Sequence, residues 1–201
     1  QYIAAAYAMG NFNFGPRLKM STGIRFERTD MEVQSKDKSI DAGTLENNDL
    51  LSALNLTYTV MKNMNLRLGV SRTLSRPSFR EIAPFASFSP VAPTLVGNPD
   101  LERSLVDNYD LKWEFSKKRG ELVSASVFYK TFYNPIEMVD NPVALNPEIS
   151  YQNVDRAQVY GFETSLKKSL GFIPGMDAFS MGVNYTYIRS QVNIDPEELK
   201  L

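Results

Sequence analysis

From Leu54 to Leu74, apolar and polar residues change places at almost every position. Leu54, Leu56, Tyr58 and Val60 alternate with Asn55, Thr57 and Thr59. After Lys62-Asn63-Met64-Asn65 the rhythm resumes, with Leu66, Leu68, Val70 and Leu74 against Arg67, Gly69, Ser71 and Thr73. Side chains of an extended chain point alternately to opposite faces, so this predicts two adjacent strands, each apolar on one side and polar on the other. The period of two recurs along the chain, and no segment sustains a helical period. It predicts eight strands, near residues 2–12, 17–30, 49–61, 65–76, 105–116, 121–137, 150–168 and 179–192. Several exceed the ~5–6 residues usual in globular proteins. They reach the ~9–11 residues that a tilted strand needs to cross a bilayer.

The connections sort by length. Those at 13–16, 62–64, 117–120 and 169–178 are short or moderate, and those at 31–48, 77–104 and 138–149 are longer. Tight turns at one end and long loops at the other are the layout of an outer-membrane barrel, with turns toward the periplasm and loops outside. The faces agree. Tyr109, Leu111, Trp113 and Phe115 oppose Asp110, Lys112 and Glu114; Tyr160, Phe162 and Leu166 oppose Gly161, Glu163, Ser165 and Lys167; Val183, Tyr185 and Tyr187 oppose Gly182, Asn184 and Thr186. On 121–137, Val123, Ala125, Val127, Tyr129 and Tyr133 oppose Ser124, Ser126 and Lys130, with Phe128 and Phe132 out of phase. Soluble antiparallel sheets alternate too, so alternation alone leaves a soluble sandwich or a lipocalin-like binder open. The rings favour lipid, because Tyr and Trp prefer the two membrane interfaces. The pattern puts Tyr58, Trp113 and Phe115 by the periplasmic turns and Tyr129, Tyr133, Tyr185 and Tyr187 toward the outer edge.

Composition fits either solvent: 201 residues, 43% hydrophobic, 22% charged, net charge -1 and mean hydropathy -0.28. A barrel keeps half its wall polar and hides its hydrophobicity from averages. No run of about 18 apolar residues predicts a transmembrane helix. Near-neutral charge, without a basic stripe interleaved with aromatics, gives no sign of a nucleic-acid partner. Cysteine and histidine are both absent, so there is no disulfide framework, no thiolate, and no Ser-His-Asp arrangement within the chain. No pattern asks for a cofactor or metal, and no catalytic residue is expected. The opening Gln1-Tyr2-Ile3 and the polar close "NIDPEELKL" read as cuts within a longer polypeptide.

Three stretches carry a resemblance: "SRTLSRPSFREIAPF" (71–85), "GNPDLERSLVDNYDLKWEF" (97–115) and "YQNVDRAQVYGFETSL" (151–166). They resemble the C-terminal β-barrel of TonB-dependent outer-membrane receptors of the Bacteroidetes type. The matching positions are Arg76-Pro77, then Gly97-Asn98-Pro99-Asp100-Leu101, then Asn153, Gly161 and Glu163. The resemblance implies an all-β fold, an antiparallel up-and-down transmembrane barrel segment of about eight strands from a barrel of about 22. Residues 1–201 would then be part of one outer-membrane barrel domain, with a plug domain and the remaining strands outside this chain. It implies energised uptake of an iron chelate, cobalamin or a glycan. The partners would be outer-membrane lipid, the solute, and the TonB complex acting through an N-terminal region outside this chain. A barrel surface protein without transport and a soluble β-barrel ligand binder are the alternatives. A barrel hydrolase would need a histidine from elsewhere in the full polypeptide.

Candidate chemistry is sparse. Gly97-Asn98-Pro99-Asp100 is a turn signal, since Gly and Asn tolerate positive φ and Pro fixes φ. Pro77 lacks an N–H and should end regular pairing. Gly161 in mid-strand marks either close packing or a bulge, and Glu163 should face the lumen. Asp30/Glu32 and Asp100/Glu102 are acid pairs at loops, where solvation is the ordinary role and no Asp-rich calcium loop surrounds them. Asn55-Leu56-Thr57 and Asn184-Tyr185-Thr186 match the glycosylation pattern inside strands, a chance match. Arg67 should point into the lumen, and Arg72, on the apolar parity, could snorkel to lipid phosphates. For solute binding the candidates are Arg76 and Arg80 at the loop base and Phe85 and Phe88 on the long loop 77–104. Rings on a loop opening onto solvent serve recognition or cover the lumen, unless they pack on neighbouring loops.

Overall fold

Each of the eight alternating segments forms a strand of one sheet. The computed structural model describes residues 1–34, 42–83, 85–89, 92–117, 120–140, 148–176 and 178–193. In chain order the elements are β1 (Tyr2–Phe14), β2 (Leu18–Val33), β3 (Gly43–Met61), β4 (Met64–Ser75), helix α1 (Phe79–Ile82), β5 (Ala86–Ser89), β6 (Ala92–Val96), β7 (Ser104–Phe115), β8 (Leu122–Tyr133), β9 (Ile136–Asp140), β10 (Glu148–Asn153), β11 (Arg156–Ser169) and β12 (Ser180–Asn193). The wall is an eight-stranded sheet in the order β1-β2-β3-β4-β7-β8-β11-β12. Every neighbouring pair in it is antiparallel. This is the expected up-and-down segment, one continuous antiparallel wall in place of a packed sandwich.

Two adjacent rows of cross-strand partners show why. One row reads Met20, Leu56, Leu68, Leu111, Val127, Phe162, Tyr187. The next reads Lys19, Thr57, Arg67, Lys112, Ser126, Glu163, Thr186, and it points to the opposite face. A sandwich would bury the apolar row under a second layer. Here Leu68 keeps 38% of its surface exposed, Phe162 40% and Tyr187 46%, and no described residue covers them. An exposed apolar face on one side and a polar face on the other suits lipid outside and a wet lumen inside.

The faces exchange roles at the loop end. The segment 31–48, expected to be a long loop, continues the ladder instead, to Val33 and from Gly43. Within it Met31 pairs with Leu45 facing inward, and the outward partners are Asp30 with Glu46 and Glu32 with Thr44. Met31, Leu45 and Ile82 form a buried core with Val33 packed against it. Above the bilayer the outside is water, so the apolar side turns in. Asp, Asn and Glu are also poor strand formers, which masked the continuation in the sequence.

The other two long loops build a second, four-stranded sheet in the order β5-β6-β10-β9 at the loop end of the wall. The expected strands 121–137 and 150–168 each divide in two. Tyr133↔Arg156 and Ile136↔Asn153 stay on one antiparallel ladder, but Asn134 takes φ 51° between them. The backbone crosses the break through Asn134 N–H donating to the Asp155 carbonyl (3.2 Å) and Val154 N–H to the Pro135 carbonyl (2.9 Å). β10 then pairs in parallel with β6, Glu148 with Thr94 and Ile149 with Leu95. Phe128 is out of phase because it lies over Gly161: a Cβ there would come within 2.7 Å of its ring and 2.1 Å of the Tyr187 carbonyl oxygen. Phe132 faces inward between Val106 and Ala157, both buried. Tyr185 and Tyr187 lie lower than expected. Tyr185 shares a row with Tyr58 and Trp113, and Arg189 and Gln191 take the outer end of β12.

Candidate functional site

The inward face is polar and internally paired. Arg67 reaches Glu114 at 2.9 Å, and Lys112 reaches the same carboxylate at 3.0 Å. Arg67 therefore points into the lumen as expected. Arg72 takes a partner in the wall: its Nε and Nη2 donate to the two oxygens of Asp107 at 2.6 and 2.7 Å on the outward face. Higher up, near β1 to β4, the inward face holds a trough of about 460 Å³. Ser21, Gly23, Ala53 and Ser71 line it where side chains are small, beside Tyr7 and Met9, and Arg25 is also part of its lining.

A buried ion cluster sits at the mouth. Glu27 on β2 and Asp49 on β3 are direct cross-strand partners, 5% and 3% exposed. Two carboxylates so placed repel each other unless cations are shared between them. Arg25 donates to Glu27 Oε2 from Nε at 2.7 Å and from Nη2 at 2.5 Å. Arg76, one residue past β4, forms an ion pair with Glu27 through Nη2 and donates from Nε to Thr29 Oγ1 at 2.8 Å. Arg103, one residue before β7, donates to Asp49 Oδ1 at 2.5 Å. Burial, with the Arg25 and Arg103 guanidiniums alongside, holds the Arg76 pKa below the usual arginine value. Both stems of the loop 77–104 are thus tied to carboxylates on neighbouring wall strands. Formal charges of three arginines and two carboxylates leave an excess of one positive charge at the mouth.

The remaining predicted residues lie on the loop itself. Ser78 caps α1 reciprocally: Ser78 N–H donates to Glu81 Oε2 at 2.6 Å and Glu81 N–H to Ser78 Oγ at 3.4 Å. That positions Arg80 at the surface, in long contact with Ser87 Oγ at 3.4 Å. Phe85 and Phe88 are 55% and 80% exposed, and Phe79 beside them is 51% exposed. Arg76 is therefore separated in kind from the other three: it is committed to Glu27, and they face solvent.

The motif residues form a clasp between the loops. Gly97 lies against the Ala83 carbonyl oxygen, 2.1 Å from where a Cβ would stand, so no side chain fits. Asn98 Nδ2 donates to the Tyr151 carbonyl at 2.9 Å, and Asn98 Oδ1 accepts from Asp100 N–H at 3.0 Å. Asn153 donates to the carbonyls of Glu102 (3.1 Å) and Asn134 (2.8 Å) and accepts from Glu102 N–H at 2.7 Å. Glu102 in turn accepts from Asn134 Nδ2 at 2.9 Å. Sequence reasoning missed Glu27, Asp49 and Arg103. Their only signal was a charge at the loop-facing end of a strand.

Known proteins supply the frame for this geometry. The family model described as TonB dependent receptor-like, beta-barrel, matches residues 1–199. No curated protein matches the sequence. Among solved structures, the chain is similar to the siderophore receptor PirA from Pseudomonas aeruginosa, with TM-score 0.71 and 19% identity over 94% of this chain and 34% of that one. It is similar to the ferric enterobactin receptor PfeA, with TM-score 0.66 and 21% identity over 93% and 27%. It is also similar to the copper transporter OprC, with TM-score 0.74 and 13% identity over 94% and 29%. At these identities the likeness is one of fold. The chain spans only about a third of each of those proteins' chains, 27% to 34%.

Proposed function

Since the chain belongs to the TonB dependent receptor-like β-barrel family and is a segment of outer-membrane barrel wall, we propose that it helps form a receptor importing one class of solute under inner-membrane power. In this reading the full polypeptide adds a plug domain, further strands and a segment that engages TonB. The chain does no covalent chemistry; selectivity comes from shape and charge at the mouth. The single observation that carries the reading is the built mouth, in which a polar inward face ends in a buried ion cluster that ties both stems of the loop 77–104 through Arg76 and Arg103. A wall serving only as a surface scaffold needs no such arrangement.

Arg80, Phe85 and Phe88 are the first contacts for an arriving solute, since all three are exposed on the loop. Arg76 acts one step deeper, where an anionic group must compete with Glu27 for it. Iron chelates carry such groups, whereas cobalamin and glycans would lean on the rings. The test uses the full-length receptor in cells lacking their own copy. Labelled ferric chelate, cobalamin and oligosaccharide are offered with TonB present or deleted. The expected result is TonB-dependent accumulation of one class, weakened about tenfold by the triple change Arg80→Ala, Phe85→Ala, Phe88→Ala. Equal accumulation of every class with and without TonB would leave a passive or purely structural barrel.

A further inference from the structure

The wall is not zipped along its whole height. The register of β3 on β4 ends at Ala53↔Ser71. Above that rung β3 runs on against β2 as far as Gly43, and β4 runs on against β7 as far as Ser75. Both strands keep their other neighbours, so the parting lies within the sheet and not at its edge. Side chains serve the last rung from outside the pair: the Ala53 carbonyl accepts from Thr22 Oγ1 at 3.1 Å, and the Ser71 carbonyl from Asn108 Nδ2 at 3.3 Å. Higher up the two halves are tied together again, Arg76 to Glu27 and Arg103 to Asp49. Four residues separate Ala53 from Asp49, so the opening is about 13 Å tall.

Cavities meet at this opening from both sides. The inward trough of about 460 Å³ and an outward cleft of about 330 Å³ share Ser52, Ser71 and Arg72. Outside, the cleft is walled by Leu50, Val70 and Tyr109, on the face that meets lipid. Inside, the trough presents Tyr7, Met9 and Leu51, apolar side chains on a mostly polar face. Arg25, the direct cross-strand partner of Leu51, stands at the inner sill with 46% of its side chain exposed. Tyr109, Tyr129 and Tyr160 share the outward row just below the last rung, and tyrosine rings mark the membrane interface. An open sheet edge is excluded from hydrocarbon, and this wall parts only from the interface upward. A long-chain anion suits each level in turn. Its alkyl chain fits the cleft and the leaflet beyond, its polar neck meets the main-chain edges of the parted strands, and its charged end meets Arg25 and the excess positive charge of the mouth.

We propose that the parting of β3 from β4 is a binding site for a single-chain anionic amphiphile, a long-chain carboxylate, whose head lies inside at Arg25 and whose tail passes through the wall into the outer leaflet. The inference rests on the outward face meeting lipid and not on solute uptake. In the test, full-length receptor in nanodiscs of phosphatidylcholine receives palmitate carrying a photoreactive diazirine beside its carboxyl group. Palmityl alcohol with the diazirine at the same end is the uncharged comparison, and cross-linked peptides are identified by mass spectrometry. Heat-modifiable gel migration reports that each variant is a folded barrel. Palmitate label should fall on Leu51, Ala53 and Ser71, at the inner side of the opening, at least tenfold more than on the outward wall residues Leu68 and Val127. Ser52→Trp, which fills the opening from the cleft, should cut that label at least tenfold. Ala125→Trp, on the outward face of β8, should change it less than twofold. Arg25→Gln should weaken palmitate labelling at least fivefold and that of palmityl alcohol less than twofold. The proposal is overturned if label spreads evenly over the outward wall, if Ser52→Trp leaves it in place, or if Arg25→Gln affects palmitate and palmityl alcohol alike.

Discussion

Replacing Glu27 by Gln removes the anion on which the first stem of the loop 77–104 depends. The Arg76 and Glu27 side chains are 19% and 7% exposed, so neither can recover much hydration when its partner is lost. Breaking such a buried pair from one side costs about 3–5 kcal/mol, most of it the stranded charge. Arg25 contributes less to the same carboxylate: with 46% of its side chain exposed, its pairing is worth about 1 kcal/mol or less. A double-mutant cycle separates the two. Glu27→Gln and Arg76→Gln should couple by about 2 kcal/mol or more, and Glu27→Gln with Arg25→Gln by under about 1 kcal/mol. The assay is urea unfolding of the full-length barrel in lipid vesicles, paired with hydrogen exchange. Amides of 78–83 and 97–103 should exchange faster in Glu27→Gln, and those of 122–133 should not. Coupling for Arg76 no larger than for Arg25, or acceleration spread evenly along the wall, would refute the stapling argument.

Other residues make equally direct claims. Leu68→Arg, in the outward apolar row, should cost about 2–4 kcal/mol in vesicle unfolding, and Ser126→Arg, in the inward row between Lys112 and Glu163, should cost under about 1 kcal/mol. Gly161→Ala should destabilise by about 1–3 kcal/mol. Adding Phe128→Ala should not recover that lost stability, because the Tyr187 carbonyl still blocks the new Cβ. Asn153→Ala removes three hydrogen bonds, two of them to Glu102 on the other loop and one to Asn134, each worth about 1 kcal/mol, and limited proteolysis should then cut between 134 and 155 with the barrel band intact.

The wall was legible because its code is local. Alternation at 54–74 assigns each residue to lipid or lumen, and the observed rows of partners keep that assignment across the wall strands. The phase change near Phe26 to Arg28 was not legible, because a strand whose apolar side turns from outward to inward looks like lost periodicity. Phe128 and Gly161 were each conspicuous in the sequence, but that one covers the other depends on register between two strands. Arg76 was placed correctly at the loop base. Its partner Glu27 is 49 residues earlier, on a strand that is not even its hydrogen-bonded neighbour. Asn98, Asn153 and Glu102 read as turn punctuation, and only the meeting of two loops makes them a clasp.

The parallel rung between β6 and β10 has a consequence for assembly. Each strand belongs to a different ribbon of the wall, β6 lying between β4 and β7 and β10 between β8 and β11, and the two ribbons are joined in the wall along the seam of β7 with β8. Neither can find the other until that seam has closed, since loop-closure entropy must be met first. The four-stranded sheet at the loop end is thus a late event in biogenesis. It completes only when neighbouring ribbons have inserted in the right order, which makes it a built-in readout of correct stitching.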